Sequence, residues 1–387
     1  MDENKQTQKA GENSQQVMAQ NAIINNNYGL DKEAVRVIID SEIDKILQEC
    51  QIVANETALN RLNEFKDILI PKLVNAQVLD AFKEPSIQML FRDAEKTAIC
   101  SERKLDYELL SELLIHRTKK DDITKNASIK NAIDIINYIT EDALLVLTIF
   151  HSTTCFRPIM GDVNTGLELL ENLFSKILTK RFLPKADEWV DNLEINKIMT
   201  FNSLGTTKRL SDYWFETFKS YTQIWIENGS DKYNEILVNF TKNNIPTDLL
   251  IVHPLNNNYY TLNILSKEMI DKITFLQTIP LPQLPKEIED NFTNLKNVKN
   301  VTVPVQLSDI QKKVIIDIFD DETLCNNKEN NNKTLFENKL KEFNTLNSIN
   351  DWWNNHIVKL SIRLNYIGKV IAHTNAKNID PTLPDLD

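Results

Sequence analysis

"DKEAVRVIIDSEIDKILQECQIVANETALNRLNEFKDILIP", residues 31–71, decides the fold class. Val35, Ile39, Ile43, Ile46 and Cys50 recur at steps of three and four, the spacing that keeps side chains on one face of a helix. The stripe resumes as Ala58, Leu62, Phe65 and Leu69, with Asp31 able to cap the start and Pro71 marking the end. These residues predict one long helix, or two collinear ones broken around residues 52–57. Core packing is the ordinary reading of such a stripe. It is preferred to a coiled-coil seam because the 3.5-residue period is not kept strictly across the middle.

Helical spacing continues downstream. Segments are expected at about 73–83, 86–100, 105–118, 124–139 and 141–152, the last opened by Thr140-Glu141-Asp142, then at 163–182, 185–198 and 210–228. Trp189, Trp214, Phe215, Phe218, Tyr221 and Trp225 mix at helical spacing and are expected in the core, where large rings supply much of the buried area. After about residue 245 the pattern changes. Leu249–Leu265 has β-branched and aromatic runs on both sides of Asn256-Asn257-Asn258 and reads as a hairpin. Pro280, Pro282 and Pro285 in "TIPLPQLPKEI" exclude helix interior and central strand, which predicts an extended connector. A strand at Val301–Val305 and a helix at Ser308–Phe319 follow, then a polar loop, "DDETLCNNKENNNK". Two closing helices are expected at about 333–346 and 350–374, the second carrying Trp352, Trp353, His356, Leu360, Leu364, Ile367 and Ile371. The tail "NIDPTLPDLD" is expected to be extended and to bury little.

The expected organisation is a polar prefix (1–28), a long helix or stalk (29–75), an α-helical array (76–245) and a smaller C-terminal α+β domain with two closing helices (246–387). The fold class is mainly α. Only seven glycines occur in 387 residues and none cluster, so no glycine-rich turn is present to cradle a phosphate.

Composition narrows the function. With 44 basic and 55 acidic residues the net charge is -11, which argues against nucleic acid as a partner. The longest strongly apolar run, Ala143–Phe150, is far shorter than the roughly 20 residues of a membrane helix, so no membrane insertion is expected. Four cysteines without a CxxC spacing form neither a disulfide framework nor a zinc site, and the expected compartment is the reducing cytoplasm. Neither metal nor cofactor is expected.

Catalytic signatures are sparse. His116, His151, His253, His356 and His373 show no metal-ligand spacing, and no arginine is followed by a histidine four to six residues later, the pairing some helical ribonucleases use. His151 and Cys155, at i and i+4, are the one cysteine–histidine pair close in sequence. A nucleophilic pair needs a third group to orient the imidazole, and none is evident nearby.

The order of elements resembles an uncharacterised family of bacterial helical proteins. The matching stretches are the prefix Gly11–Asn21, Gly29-Leu30 before the long helix, "LLIHRTKKD" (113–121), "AIDIINYITEDALLVLTIF" (132–150) and "LNYIGKVIAHTN" (364–375). Comparable prefixes occur on proteins that resemble bacterial conflict or antiphage components. The resemblance implies a possible defence setting and no known reaction.

The prefix "GENSQQVMAQNAIINNNYG", residues 11–29, is nearly uncharged and rich in Gln and Asn. As a strand, Val17, Ala19, Asn21 and Ile23 share one face, and both faces mix apolar and amide side chains. Such faces suit stacked copies better than one side of a core. A disordered tail and a helical extension of the stalk are the other readings. Two function classes follow: a non-enzymatic scaffold or sensor that self-associates through Val17, Ala19, Asn21 and Ile23 together with Ile39 and Ile46, presenting the rest to another protein; or a hydrolase or nuclease built from scattered carboxylates. Carboxylates or histidines converging in a pocket would favour the enzyme.

Overall fold

A computed structural model describes residues 32–119, 123–179, 181–202, 205–280, 300–324 and 329–386. The architecture is mainly α with small antiparallel sheet elements. The chain divides into two compact units, Met1–Asn60 and Arg61–Asp387. The Asp31 cap lies outside the described residues.

Helix α1 (Lys32–Asn75) is single and uninterrupted, giving residues 32–60 to the first unit and 61–75 to the second. It neither breaks around 52–57 nor stops at Pro71. A proline this close to the C-terminus removes one backbone N–H, and Pro71 and Asp67 are both exposed, where water can serve the orphaned carbonyl.

The second unit is built around α5 (Glu141–Cys155), whose residues Ala143–Thr153 are all buried. A helix apolar on every side can only be a central one. Thr140 caps it by accepting from the Ala143 N–H at 3.3 Å, as the sequence predicts. Helices α2 (Pro85–Cys100), α3 (Lys104–Lys119) and α4 (Ile123–Ile135) pack on one another, and Phe65, Leu69 and Leu73 of α1 are buried in the same core. Further along come α6 (Val163–Ile177), α7 (Glu188–Ile195), α8 (Leu210–Thr217), α9 (Lys219–Thr222) and α10 (Asp231–Lys242). The aromatic set behaves as expected: Trp189, Trp214, Phe215, Phe218, Tyr221 and Trp225 are all buried. One connected cluster of buried hydrophobics runs from Phe65 to Ala376, across the boundary expected at 245/246.

The hairpin is present. β3 (Leu250–Val252) pairs antiparallel with β4 (Tyr259–Leu262), and β2 (Ile226–Glu227) adds on the other side of β4. Asn256 shapes the turn, its side-chain oxygen accepting from the Asn258 N–H at 3.1 Å. Helix α11 (Asp309–Phe319) starts in a capping box between Ser308 and Gln311.

Four expectations need correction. The first three residues of the expected connector, 278–280, instead end strand β5 (Thr274–Pro280), paired with β6 (Asn300–Gln306); in a two-stranded ribbon both strands are edges, so Pro280 and Pro304 are tolerated. Pro282 and Pro285 lie outside the described residues. The polar loop after Phe319 is shorter than expected, because α12 (Glu329–Lys341) already contains Asn330–Asn332. The helix expected over 210–228 is α8, α9 and β2, since Phe218 leaves helical geometry between the first two. The closing helix expected over 350–374 is three elements: α13 (Asn344–His356), β7 (Ser361–Leu364) and α14 (Tyr366–Ile379). β7 is drawn out of helix by pairing with β1 (Met199–Asn202), Met199 opposite Leu364 and Phe201 opposite Ile362. Asn365 then caps α14 through the Gly368 N–H at 2.9 Å.

Candidate functional site

Two regions carry chemistry or surface beyond core packing. The first is the α1 stretch of the Met1–Asn60 unit, in which every residue from Asp40 to Thr57 is exposed. Ile43 is 48% exposed, Ile46 56% and Val53 61%, values far from those of a core stripe. Core packing therefore holds for Phe65 and Leu69 of this helix and not for its earlier half. Because the helix is unbroken, Ile39, Ile43, Ile46, Cys50, Val53 and Thr57 fall at alternating steps of four and three, the a and d positions of consecutive heptads. Val53, which the sequence reading left out of the stripe, restores its regular period. Ile39 and Ile46 occupy one face, seven residues apart. The proposed prefix residues Val17, Ala19, Asn21 and Ile23 lie outside the described residues.

The second region joins α5 to α14 inside the Arg61–Asp387 unit. His151 Nδ1 lies 3.4 Å from the Cys155 Sγ, and His151 Nε2 lies 3.2 Å from His373 Nδ1. His373 Nε2 contacts the Pro384 carbonyl oxygen at 2.9 Å. That carbonyl can only accept, so His373 Nε2 donates to it, and with a neutral His373 ring the other protons follow. His373 Nε2 carries hydrogen, its Nδ1 accepts from the His151 Nε2–H, and His151 Nδ1 accepts from the thiol. The third partner absent from the local sequence is thus His373, 222 positions from His151. Only tertiary packing could reveal it.

Charge is disfavoured on His151 and on Cys155. Burial, and the repulsion that a protonated His373 and Lys369 would exert, lower the His151 pKa to about 3, and burial pushes the Cys155 thiol up. An imidazole so weakly basic beside a thiol so weakly acidic does not form the thiolate–imidazolium pair of a cysteine nucleophile. Beside it, between α3 and α14, lies a pocket of about 220 Å³ walled by Ile115, His116, Thr374 and Lys377 and covered by Asp385 and Leu386. Glu112 and His373 also line it, so carboxylates and histidines do converge there. Three of these groups are already engaged: Glu112 accepts from Lys72 Nζ at 2.6 Å, Asp385 pairs with Lys377, and both His373 nitrogens are bonded.

Among the described residues no group of three or more His, Cys, Asp or Glu side chains is placed to hold a metal ion. No described helix is long and apolar enough to cross a membrane. His253 is buried and stacked on Trp225 with ring centroids 3.7 Å apart, and His356 pairs with Asp187 at 2.8 Å.

The model of an uncharacterised "-like" protein family matches residues 29–303, well over half of the 387-residue chain, and the chain belongs to that family. No curated protein and no solved structure matches it.

Proposed function

We propose that this family member is a self-associating scaffold in which the α1 helices of separate copies pair and the Arg61–Asp387 unit is presented to another protein. The observation that carries this reading is the exposed heptad row of α1. A monomer would leave Ile43, Ile46, Leu47 and Val53 in water on one helix. Full burial of each is worth roughly 1.5–3 kcal/mol and each is about half exposed, so two copies gain on the order of 6–12 kcal/mol gross, comparable with an association cost of about 4–15 kcal/mol. Cys50, Cys100 and Cys155 are free thiols, consistent with a reducing compartment such as the cytoplasm. The prefix, through Val17, Ala19, Asn21 and Ile23, is a second contributor to assembly in this reading, and bacterial defence is its proposed setting.

The hydrolase alternative draws on the pocket beside His373. It is the weaker reading because Glu112, Asp385 and His373 are all engaged by protein partners.

Light scattering coupled to size exclusion tests the scaffold. The wild type should elute as a multiple of 44.7 kDa, and the double variant Ile43→Glu/Ile46→Glu as a single chain with unchanged helix content. A wild type that is monomeric at tens of micromolar, or a double variant that keeps the wild-type mass, would overturn the proposal.

A further inference from the structure

We infer that copies of the chain associate through α1 in parallel and in register, so that the Cys50 thiols of neighbouring copies share one layer. This rests on the self-association proposed above and adds its geometry. With Ile43 and Cys50 at a and Ile46 and Val53 at d, the flanking g positions are Glu42, Glu49 and Glu56, one glutamate per heptad, all exposed. The e positions over the same span are Asp40, Leu47 and Ala54.

In a parallel, in-register pair each g residue lies against the e residue of the following heptad on the other helix. Glu42 then meets Leu47 and Glu49 meets Ala54, so no like charges oppose one another. An antiparallel pair sets g against g and would stack the glutamates on glutamates, which is repulsive at close range. Lys45 relieves only one of them, bonding Glu42 of its own helix at 2.8 Å. Register follows from the row itself: in register every apolar layer from Ile39 to Val53 finds its own copy, whereas a slip of one heptad leaves one a and one d layer unpaired.

The test is cross-linking of the full chain with a short bis-maleimide, read beside the light-scattering mass. A variant with Cys100→Ser, Cys155→Ser and Cys325→Ser keeps Cys50 alone and should give a covalent dimer. Adding Cys50→Ser should abolish it. Adding Ile43→Cys to that cysteine-free chain should restore the dimer, because position 43 also meets its own copy in the parallel arrangement; in an antiparallel pair only the central layer can. An oligomer by mass whose position 43 fails to cross-link overturns the parallel register and leaves self-association standing. A monomer by mass, with no cross-link at either position, overturns both.

Discussion

At the residue scale, much of the fold rests on places where a side chain has no room or an uncommon backbone. A Cβ added at Gly166 would stand 1.8 Å from the hydroxyl oxygen of Tyr221, which donates to the Met160 carbonyl at 2.9 Å. Alanine would favour α6 by about 1 kcal/mol, but overpacking a buried ring costs roughly 1–3 kcal/mol. Gly166→Ala should therefore lower the urea midpoint, and adding Tyr221→Phe, which removes the clashing oxygen, should recover part of the loss. An unchanged midpoint in the single variant would show that Tyr221 moves freely. The scarcity of glycine has a counterpart here: Gln77, Lys197 and Asn244 take positive φ just after helices, where glycine usually serves.

At the element scale, the C-terminal segment departs most from its sequence reading. α14 runs to Ile379, and Asn375 and Ala376 are fully buried, so cutting after Asn375 would remove part of a packed helix. The tail beyond is tied down rather than loose. Asp380 accepts from Lys176 Nζ at 2.8 Å, the Pro384 carbonyl accepts from His373, and Leu383 and Leu386 pack against the core edge. Lys176 and Thr382, bonding its carboxylate, hold the Asp380 pKa below the usual range. A chain ending at Ile379 should lose roughly 2–4 kcal/mol, from about 1 kcal/mol per hydrogen bond and partial burial of two leucines. Thermal melting of full-length and shortened chains measures this; equal melting temperatures would mean that the tail contributes nothing.

At the scale of the whole molecule, two buried neutral histidines set an acid limit on stability. Burial lowers both His151 and His253 from 6.5 to about 3, His151 with help from the repulsion that a protonated His373 and Lys369 would exert. Between those values the unfolded chain binds protons that the folded chain refuses. Stability is therefore whole above pH 6.5 and falls as pH drops towards 3, by about 2 kcal/mol per imidazole at pH 5. Urea unfolding of the wild type and of His253→Phe at about pH 7.5 and pH 5 should show a smaller loss in the variant. Parallel losses would assign the acid sensitivity to other groups.

The sequence by itself determined what depends on neighbours along the chain. The helical character of α1, the buried run of α5, the Thr140 cap, the Asn256 hairpin and the buried aromatics are all set by spacings of one to four residues, within which helix, strand and turn preferences act. Tertiary structure alone decided what depends on distant partners. It cut the apparent helix 350–374 into three because β1 offered Ser361–Leu364 a ladder from more than 150 positions away, and it made strand of Thr274–Pro280 by supplying β6. It completed Cys155–His151 with His373, and the full burial of His151 makes of the three a hydrogen-bonded tether between α5, α14 and the tail. It also divided the apolar stripe of α1, burying Phe65 and Leu69 and leaving Ile43 and Ile46 in water. A hydrophobic period specifies that a helix has a face to cover. Which body covers it is a matter of three-dimensional proximity, which periodicity does not encode.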